Sequence, residues 1–323
     1  MKNLSQEILL KRSQFLKSIR KFFESHNVVE VDTPILKQVV SMEPYLDPFL
    51  VSSPDNREKG YLITSPEYSH KQYLAKGLER IYEISHVFRS GEIGSGIHSA
   101  EFLLLEFYLS GFRDQDLMEF CKNLLDHLSN DCFQKALPIQ KKISLEDLFV
   151  QFTTRGFDRE SLEKTILEKN ILISSKNAKS LESETFEDLF HLVFLNCIEL
   201  HLKEKEEILY LYDFPKECAA LSKVENGKAK RFEIYWQGLE LANAFEELTD
   251  AKEQRSRLES EQAFRKKLGK EIFPIDEDFL EALSSETFPK IVSGIAIGLD
   301  RLFMKFLSLE NLQFVSPYYR TLS

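Results

Sequence analysis

Two arginines stand at the ends of predicted strands, next to glycines. Arg89 follows the apolar run RIYEISHVF and precedes SGEIGSGIH, and Arg301 lies in GIAIGLDRLF, where a predicted strand passes into a helix. A guanidinium ion held in this way can donate paired hydrogen bonds to a phosphate or a carboxylate. Taken alone, Arg89 is more often a strand-end ion pair, and glycines such as those before Arg301 more often serve tight packing. Neither arginine identifies a site by itself.

Two glutamates occur on strand-like sequence in another part of the chain. Glu233 and Glu240 lie in RFEIYWQGLELANAFEEL. A carboxylate on such a strand costs free energy unless it meets a partner or a ligand, and carboxylate oxygens are the ligands that Mg²⁺ takes beside a triphosphate. The chain has no GxxxxGK[ST] loop, and no GxGxxG motif follows a predicted strand. Two arginines and two glutamates together indicate binding of Mg-ATP more strongly than any one of them.

The elements that must position these residues are helices and strands in alternation. Apolar residues recur at helical spacing over Leu4–His26, and helices are also predicted at 114–130, 185–202 and 250–269. RIYEISHVFRS and EFLLLEFYLSG predict an antiparallel hairpin, RFEIYWQGLELANAFEEL one long strand, and VSGIAIGLDRLFMKFL a strand that enters a helix. The order predicts an α+β fold, an antiparallel β-sheet flanked by helices. One domain over 1–323 is expected, with a helical insert at about 114–205.

Strand alternation makes a geometric prediction for the long strand. Asn243, Phe245 and Glu247 are two residues apart and should share one face, whereas Glu240 falls on the opposite parity. For Glu240 to reach a metal ion beside those three residues, the strand needs a bulge or a strong twist between Leu241 and Asn243.

Composition and charge exclude several classes of function. The net charge of −10 argues against an extended contact with nucleic acid, which needs clustered Lys and Arg. No window approaches the roughly 20 apolar residues of a membrane span, so a cytoplasmic protein is expected. The four cysteines show no CxxC spacing and are expected to be buried free thiols. The histidines, His70 among them, show no metal-ligand spacing and are expected to have ordinary roles. RKKLGK, residues 265–270, is typical of a solvated helix face.

At this point the chain resembles a known family. FFESHNVVEVDTPIL, FRSGEIGSGIHSAEFLLLEF and GIAIGLDRLFM are similar to motifs 1, 2 and 3 of class II aminoacyl-tRNA synthetases, in the same order. TSPEYSHKQYL and RFEIYWQGLELANAFEELTDAKEQ are similar to the corresponding segments of lysyl-tRNA synthetases. The resemblance extends from about Leu10 to Met304, and it implies the class II synthetase-like α+β fold.

Two features separate the chain from lysyl-tRNA synthetases. The motif 1 proline is Pro34, so that too few residues precede it for the anticodon-binding domain of those enzymes. Ala296 stands where lysyl-tRNA synthetases have Gly and where the truncated lysyl paralogues, the elongation factor P lysine ligases, have Ala. That resemblance implies activation of (R)-β-lysine as an adenylate and its transfer to a lysine side chain of elongation factor P. One added methyl group in the pocket can change which amino acid fits.

The resemblance also implies a role for individual residues. Arg89 and Arg301 would hold the phosphates of ATP and form the catalytic pair, and Glu233 and Glu240 would hold Mg²⁺. Phe102 would stack on adenine, and Glu92 and His98 would lie in the loop that covers ATP. The amino-acid pocket would be lined by Glu67, Glu106, Tyr108, Asn243, Phe245, Glu247 and Ala296. Motif 1 of this family builds a symmetric dimer, so a homodimer is expected.

Some residues depart from the family pattern, and other functions stay open. HSAEF replaces the usual HNPEF, the motif 2 loop is one residue longer, and Asn27 replaces a Gly after the first helix. These changes leave an altered substrate possible. One alternative is a ligase that loads lysine onto tRNA or another carrier, against which the missing anticodon domain counts. The other is a degenerate synthetase paralogue with a regulatory role, which predicts loss of the ATP-site charges that this chain retains.

Overall fold

The computed structural model describes residues 4–172, 181 and 184–320. The helices are α1 (Gln6–Ser25), α2 (Glu67–Ala75), α3 (Asp114–Leu128), α4 (Leu145–Thr153), α5 (Arg159–Glu168), α6 (Phe186–Val193), α7 (Glu199–Leu202), α8 (Ala251–Lys267), α9 (Glu277–Leu283) and α10 (Leu299–Phe306). The strands are β1 (Val29–Glu30), β2 (Leu36–Lys37), β3 (Phe49–Ser52), β4 (Lys59–Leu62), β5 (Arg80–Phe88), β6 (Glu101–Ser110), β7 (Gln140–Ser144), β8 (Ile208–Pro215), β9 (Val224–Glu225), β10 (Lys228–Trp236), β11 (Leu239–Glu246) and β12 (Val292–Gly298).

The chain divides into two compact units. The first comprises Met1–Ala136 and Glu246–Ser323, and the second comprises Leu137–Phe245. The single domain expected from the sequence stays a prediction. No helix of the described residues combines the length and apolar character that crossing a membrane requires.

The first unit is built on the strand order β1-β5-β6-β12. The hairpin of β5 and β6 is antiparallel, as predicted, and β12 pairs antiparallel with β6. Strand β1 is parallel to β5, so the sheet is mixed. A separate small sheet has the order β2-β4-β3. The predicted α+β architecture is confirmed, and over β1-β5-β6-β12 the sheet differs from the expected antiparallel one only in the parallel pairing of β1 with β5.

Helix α1 packs one apolar face into the first unit, as its spacing predicts. The side chain of Ser5 accepts a hydrogen bond from the Ile8 backbone N–H and caps the first turn. Phe15 and Phe23 are completely buried, and Phe23 stacks on Tyr82 of β5 with 4.3 Å between ring centroids. The helix ends before Asn27, whose φ of 54° is a left-handed conformation that Asn tolerates.

The second unit contains strands in the order β11-β10-β8-β7, with β9 paired to β10. Strand β7 lies within the insert that was predicted to be helical, and it is parallel to β8. The helix predicted over 185–202 is divided into α6, a π-helical segment at Phe194–Ile198, and α7. The Ser-rich segment before it lies partly outside the described residues.

The single long strand predicted from RFEIYWQGLELANAFEEL is wrong. The segment forms a hairpin of β10 and β11, connected by Gln237 and Gly238 with φ values of 49° and 70°. Two consecutive positive φ angles define the two-residue turn that matches the twist of a hairpin. Gly238 at the second turn position indicates this turn. The prediction missed it because the apolar residues on both sides of Gly238 are typical of one continuous strand.

Candidate active site

The strands β5, β6 and β12 bring the predicted pocket residues of the first unit onto one face. Glu106 pairs with Glu83 on one side and with Ala296 on the other, and Tyr108 pairs with Gly294. Directly paired residues point to the same side of a sheet. The Tyr108 hydroxyl donates a hydrogen bond to Glu106 Oε1 at 2.8 Å. Small residues on β12 therefore lie opposite large polar residues on β6.

Gly294 leaves space that no other residue would leave. A Cβ atom at this position would lie 2.3 Å from Tyr108 Cε1 and 2.9 Å from Glu247 Oε1. Such distances are far below van der Waals contact. The glycine thus allows the phenol ring and the Glu247 carboxylate to approach the same point of β12.

Helix α2 and the residue after β11 complete what we call the carboxylate pocket, formed by Glu67, Lys71, Glu106, Tyr108 and Glu247. Lys71 Nζ lies 2.6 Å from Glu67 Oε1 and 2.7 Å from Glu247 Oε2. The Lys71 side chain is completely buried. Sequence reasoning missed Lys71, although a Glu followed four residues later by a Lys on a helix is a recognised pairing signal.

Two oxygens of the carboxylate pocket lack a partner. Glu106 Oε2 and Glu247 Oε1 are buried, with neither a hydrogen bond nor an ion pair among the described residues, whereas Glu247 Oε2 has its ion pair with Lys71. A buried carboxylate oxygen without a donor is costly, and in a folded protein it calls for a ligand, ion or water. An ammonium group supplies three N–H donors and a positive charge. The unpaired oxygens therefore suit the amino groups of a cationic amino acid.

Burial perturbs the acids of the carboxylate pocket. It raises the pKa of Glu247 to about 8, against the lowering effect of the Lys71 ammonium ion. Burial also raises the pKa of Glu67, again opposed by Lys71. Nearby carboxylates add to both shifts, because like charges disfavour ionisation. A cation that enters the pocket would favour the ionised form of both acids.

His70 is a second buried group that sequence reasoning missed, because its expected role was an ordinary one. Its Nε2 donates to Glu83 Oε2 at 2.8 Å, and its Nδ1 lies 3.5 Å from Glu106 Oε1. Glu83 also accepts hydrogen bonds from the backbone N–H and the hydroxyl of Thr33, at 3.2 and 2.9 Å. The contacts of His70 with Glu83 and Glu106 are tertiary contacts between α2 and the sheet, so the sequence alone did not predict them.

The predicted ATP-loop residues of the first unit also come together. Arg89 follows β5, and its guanidinium carbon lies 5.1 Å from the centre of the Phe102 ring. Arg89 Nη1 lies 3.7 Å from Glu92 Oε1, and the side chains of both residues are about one quarter exposed. The ring and the guanidinium ion offer an aromatic face beside a positive charge, which suits a nucleotide.

Arg301 lies in the first turn of α10, directly after β12, as predicted. Its Nε donates to the carbonyl of Ile97 at 3.0 Å, which ties it to the loop between β5 and β6. Burial and the charges of Arg301 and Arg89 lower the pKa of His98, with Glu92 opposing them. His98 is therefore close to two cations, and the group as a whole suits a polyanion.

The loop between β5 and β6 is held by the C-terminal part of the first unit. The backbone N–H of Leu312 donates to the carbonyl of Gly96 at 2.8 Å. Ser99, which replaces the usual Asn of the family, donates to the carbonyl of Tyr318 at 3.1 Å. The substitution thus gives Ser99 a packing role in this chain.

In the second unit the remaining predicted residues share one face of the β10–β11 hairpin. Glu233 pairs with Asn243, and the register then shifts so that Tyr235 pairs with Glu240. Leu241 is the extra residue on β11, so β11 has the expected bulge, at Leu241 itself instead of between Leu241 and Asn243. The bulge returns Glu240 to the face of Asn243 despite their opposite parity. Phe245, opposite Arg231, lies on this face too.

Arg231 organises this face and was also missed. Its Nε donates to Asn243 Oδ1 at 3.0 Å and its Nη2 donates to Glu233 Oε1 at 2.5 Å. The Tyr235 hydroxyl donates to the other oxygen of Glu233 at 2.8 Å. Glu233 and Glu240 offer the hard oxygen donors that Mg²⁺ requires, and each carboxylate oxygen keeps a second lone pair. The donor set fits the metal, with Arg231 as the counter-ion that competes for Glu233.

The four cysteines of the chain are buried free thiols, as predicted. By contrast, the prediction of a solvated face at 265–270 is wrong for its first residue. Arg265 is 1% exposed, and it donates hydrogen bonds to the carbonyls of Glu43 and Leu46 and to Asp47. It therefore anchors the segment before β3 to α8.

Comparison with known proteins agrees with this geometry. The family model for class II tRNA synthetases (D, K and N) matches residues 1–322. A Proteus mirabilis protein named elongation factor P–(R)-β-lysine ligase is 35% identical over 97% of this chain and 95% of its own length. An Avibacterium paragallinarum protein of the same name is 36% identical over 97% and 95%, and a homologue of that ligase from Aquifex aeolicus is 36% identical over 95% and 97%. The chain belongs to the class II tRNA synthetases of the D, K and N type and, within them, to the family of the elongation factor P–(R)-β-lysine ligases.

Proposed function

We propose that this protein activates a lysine-type amino acid, (R)-β-lysine, with ATP and transfers it to a lysine side chain of elongation factor P. The observation that carries the proposal is the carboxylate pocket, in which Glu106 Oε2 and Glu247 Oε1 are buried without a donor among the described residues. A substrate with two ammonium groups supplies the missing donors. The names of relatives that match nearly the whole chain support the identity of the acceptor.

Activation requires positioning and neutralisation of charge, and no covalent enzyme group. A carboxylate oxygen of the amino acid attacks the α-phosphorus of ATP, the bond to the bridging oxygen breaks, and pyrophosphate leaves with the bonding electrons. Arg89 binds the α-phosphate and Arg301 the terminal phosphate, while Phe102 stacks on the adenine. Glu233 and Glu240 would hold Mg²⁺, which when bound would supply positive charge for the transfer of the adenylyl group.

Transfer completes the reaction. The uncharged amine of the acceptor lysine attacks the adenylate carbonyl, the bond to the AMP oxygen breaks, and the new amide nitrogen loses a proton. Glu106 and Glu247 hold the aminoacyl group through its ammonium ions during this step. Ala296, opposite Glu106 on β12, narrows the floor of the carboxylate pocket and selects among lysine skeletons.

Pyrophosphate exchange with (R)-β-lysine and with α-lysine tests the activation step. We expect exchange with (R)-β-lysine, and we expect Arg89→Ala and Arg301→Ala to reduce kcat/KM by roughly a hundredfold or more. Arg255→Ala is the control, because Arg255 pairs with Glu277 on exposed parts of α8 and α9. Mass spectrometry of elongation factor P after incubation with enzyme, ATP and amino acid tests the transfer.

Three outcomes would contradict the proposal in different ways. Exchange with neither amino acid, despite ATP binding, would indicate a degenerate regulatory paralogue. Charging of tRNA at a rate above that of elongation factor P would indicate a carrier-loading ligase. Exchange that responds to a monocationic amino acid as well as to lysine would remove the role assigned to the carboxylate pocket.

A further inference from the structure

His70 and Lys71 are consecutive residues of α2, and both side chains are completely buried. Each lies between two carboxylates. Lys71 contacts Glu67 and Glu247, and His70 lies between Glu83 and Glu106. Consecutive residues on a helix point in directions about 100° apart, so one turn of α2 supplies two separate carboxylate pairs with a cationic side chain.

The pair held by His70 is a cross-strand pair of like charge. Glu83 of β5 and Glu106 of β6 are direct partners in the antiparallel register, and both are buried. Two carboxylates in this arrangement repel each other unless a cation or a proton lies between them. His70 is the residue that packs into this position, with nitrogens 2.8 Å from Glu83 Oε2 and 3.5 Å from Glu106 Oε1.

The hydrogen-bonding capacity of imidazole decides between its two charge states. Neutral imidazole has one N–H donor and one acceptor nitrogen, so it would direct a lone pair at one of the two carboxylates. Imidazolium has two N–H donors: Nε2–H bonds to Glu83 at 2.8 Å, and Nδ1–H presents a positive charge to Glu106 Oε1 at 3.5 Å, where Nδ1 has no hydrogen-bond partner among the described residues. Burial by itself lowers the pKa of His70, but the hydrogen bonds and charges of Glu106 and Glu83 outweigh it and raise the pKa to about 9.

We propose that His70 is a positioning residue for amino-acid activation: as an imidazolium ion it holds Glu106 against Glu83 and keeps Glu106 Oε2 directed at an ammonium group of the substrate. Glu106 Oε1 is occupied by the Tyr108 hydroxyl at 2.8 Å and faces His70, which leaves Oε2 as the atom without a partner among the described residues. This inference rests on the proposed lysine-type substrate.

A count of charges extends the inference to specificity. Glu67, Glu83, Glu106 and Glu247 contribute four negative charges when all are ionised, and His70 and Lys71 contribute two positive charges. The difference of two matches the two ammonium groups of a lysine-type amino acid. With a neutral His70 the excess rises to three, so the charges of these groups match a dication only if one carboxyl group retains a proton.

The groups that face His70 come from three elements. Glu83 lies on β5, Glu106 and the ring of Tyr108 at 5.5 Å lie on β6, and Lys71 lies on the same helix. Glu247 reaches the site through Lys71. The carboxylates favour the protonated imidazole and Lys71 opposes it, so the alkaline limit of substrate binding reports the loss of the His70 proton.

The experiment compares His70→Gln with wild type in pyrophosphate exchange. Gln is neutral and keeps one donor group. We expect KM for the lysine-type amino acid to rise roughly tenfold or more while KM for ATP and kcat change by less than about threefold. His86→Gln is the matched control, because His86 forms a partly exposed pair with Glu101 at 3.0 Å in the same unit. If KM rose equally for the amino acid and for ATP, the proposal would be overturned, because equal increases indicate a general structural defect.

Glu83→Gln separates the enzyme's titration from that of the substrate. The substrate's own amines also lose protons in alkaline solution, but their pKa does not depend on residue 83. Removing the Glu83 charge lowers the pKa of His70 from about 9, so the alkaline fall in kcat/KM should begin at lower pH in this variant. An unchanged alkaline limb would contradict the inference. This test also stands if His70→Gln does not fold.

The charge state of His70 can be measured without turnover. Nitrogen-15 NMR of histidine-labelled protein distinguishes imidazolium, with two protonated nitrogens, from neutral imidazole, and the His70→Gln or Glu83→Gln spectrum assigns the signal. We expect imidazolium in the wild type at neutral pH, and a neutral ring would overturn the proposal. If the wild-type enzyme shows no exchange with any lysine-type amino acid, the proposed function fails, whereas the NMR result still decides the charge state.

Discussion

Lys71 is the residue whose role is hardest to see before the fold is known. It places an ammonium group between Glu67 and Glu247, two acids that are 180 positions apart in sequence, inside a region where an uncompensated charge is costly. Glu67 and Glu247 were predicted as substrate ligands, and the structure shows that they already share a cation. The substrate therefore meets a pocket in which part of the negative charge is balanced internally.

We predict that Lys71→Met lowers the free energy of unfolding by about 3 kcal/mol at neutral pH, because without the ammonium ion the pKa values of Glu67 and Glu247 rise further and these buried acids must take up protons on folding. The loss should shrink in mildly acidic solution, since the unfolded chain begins to bind the same protons there. Urea unfolding at the two pH values measures the effect. Lys76→Met, at the exposed end of the same helix, is the control. Equal losses at both pH values would show that packing, not charge, is responsible.

Gly294 is the second residue with a sharp prediction. Gly294→Ala introduces a Cβ atom at 2.3 Å from the Tyr108 ring, so the ring and Glu247 must move. We expect KM for the lysine-type amino acid to rise roughly tenfold and stability to fall by about 1 to 3 kcal/mol. Gly156→Ala is the control, because the nearest atom to its Cβ is 3.9 Å away. An unchanged KM in Gly294→Ala would show that Tyr108 does not contribute to binding of the amino acid.

At the scale of elements, the β10–β11 hairpin determines which side chains share a face. The turn at Gln237 and Gly238 reverses the chain, and the bulge at Leu241 restores Glu240 to the face of Glu233 and Asn243. A regular ladder would have directed Glu240 to the other side. The hairpin and the bulge are thus both required for the predicted pair of metal ligands.

We predict that Gly238→Ala destabilises the second unit more than Gly227→Ala does. Both glycines have positive φ, 70° and 75°, so both substitutions introduce the same backbone strain. Only at Gly238 would the new Cβ lie 2.4 Å from Lys203 Cγ and 3.0 Å from the Lys203 nitrogen. We expect a difference of about 1 kcal/mol or more between the two variants in urea unfolding. Equal effects would mean that Lys203 moves away at no cost.

For the molecule as a whole, the buried charges predict how stability varies with pH. The pKa of His70 is raised from 6.5 to about 9 in the folded protein, so its stabilising contribution is complete below 6.5 and is lost as pH rises through about 9. This contribution is on the order of 3 kcal/mol. The pKa of Glu247 is raised from 4.5 to about 8 in the folded protein, so the free energy of unfolding also falls between these two pH values. The free energy of unfolding should therefore fall from about pH 6 to about pH 9, and fall less in His70→Gln.

The homodimer predicted from motif 1 is a second whole-molecule expectation. Val29 on β1 is 50% exposed, and β1 is the last strand in its sheet order. An exposed apolar side chain on the edge strand of a sheet favours contact with another chain. Sedimentation of wild type and Val29→Glu tests this, with Ile139→Glu in the second unit, 75% exposed, as the control. A monomeric wild type would contradict the prediction.

The sequence by itself determined the family, the α+β fold and the chemical type of most site residues. The order of the motifs, the helical spacing of apolar residues and the strand parity of Glu240 can be read directly from the sequence, because they depend only on residues that are ordered along the chain. The β5–β6 hairpin, α1 and the need for a bulge in β11 could all be predicted for this reason.

Only the tertiary structure decided which charges face one another. The contacts of Lys71 with Glu247, of His70 with Glu106, and of Arg265 with the segment before β3 join residues that are far apart in sequence. The free energy of a buried charge depends on its neighbours in space, and no periodicity in the sequence encodes those neighbours. The sequence thus specified the carboxylates that await a cationic substrate, and the packing of α2 on β5 and β6 decided how much of their charge is already balanced.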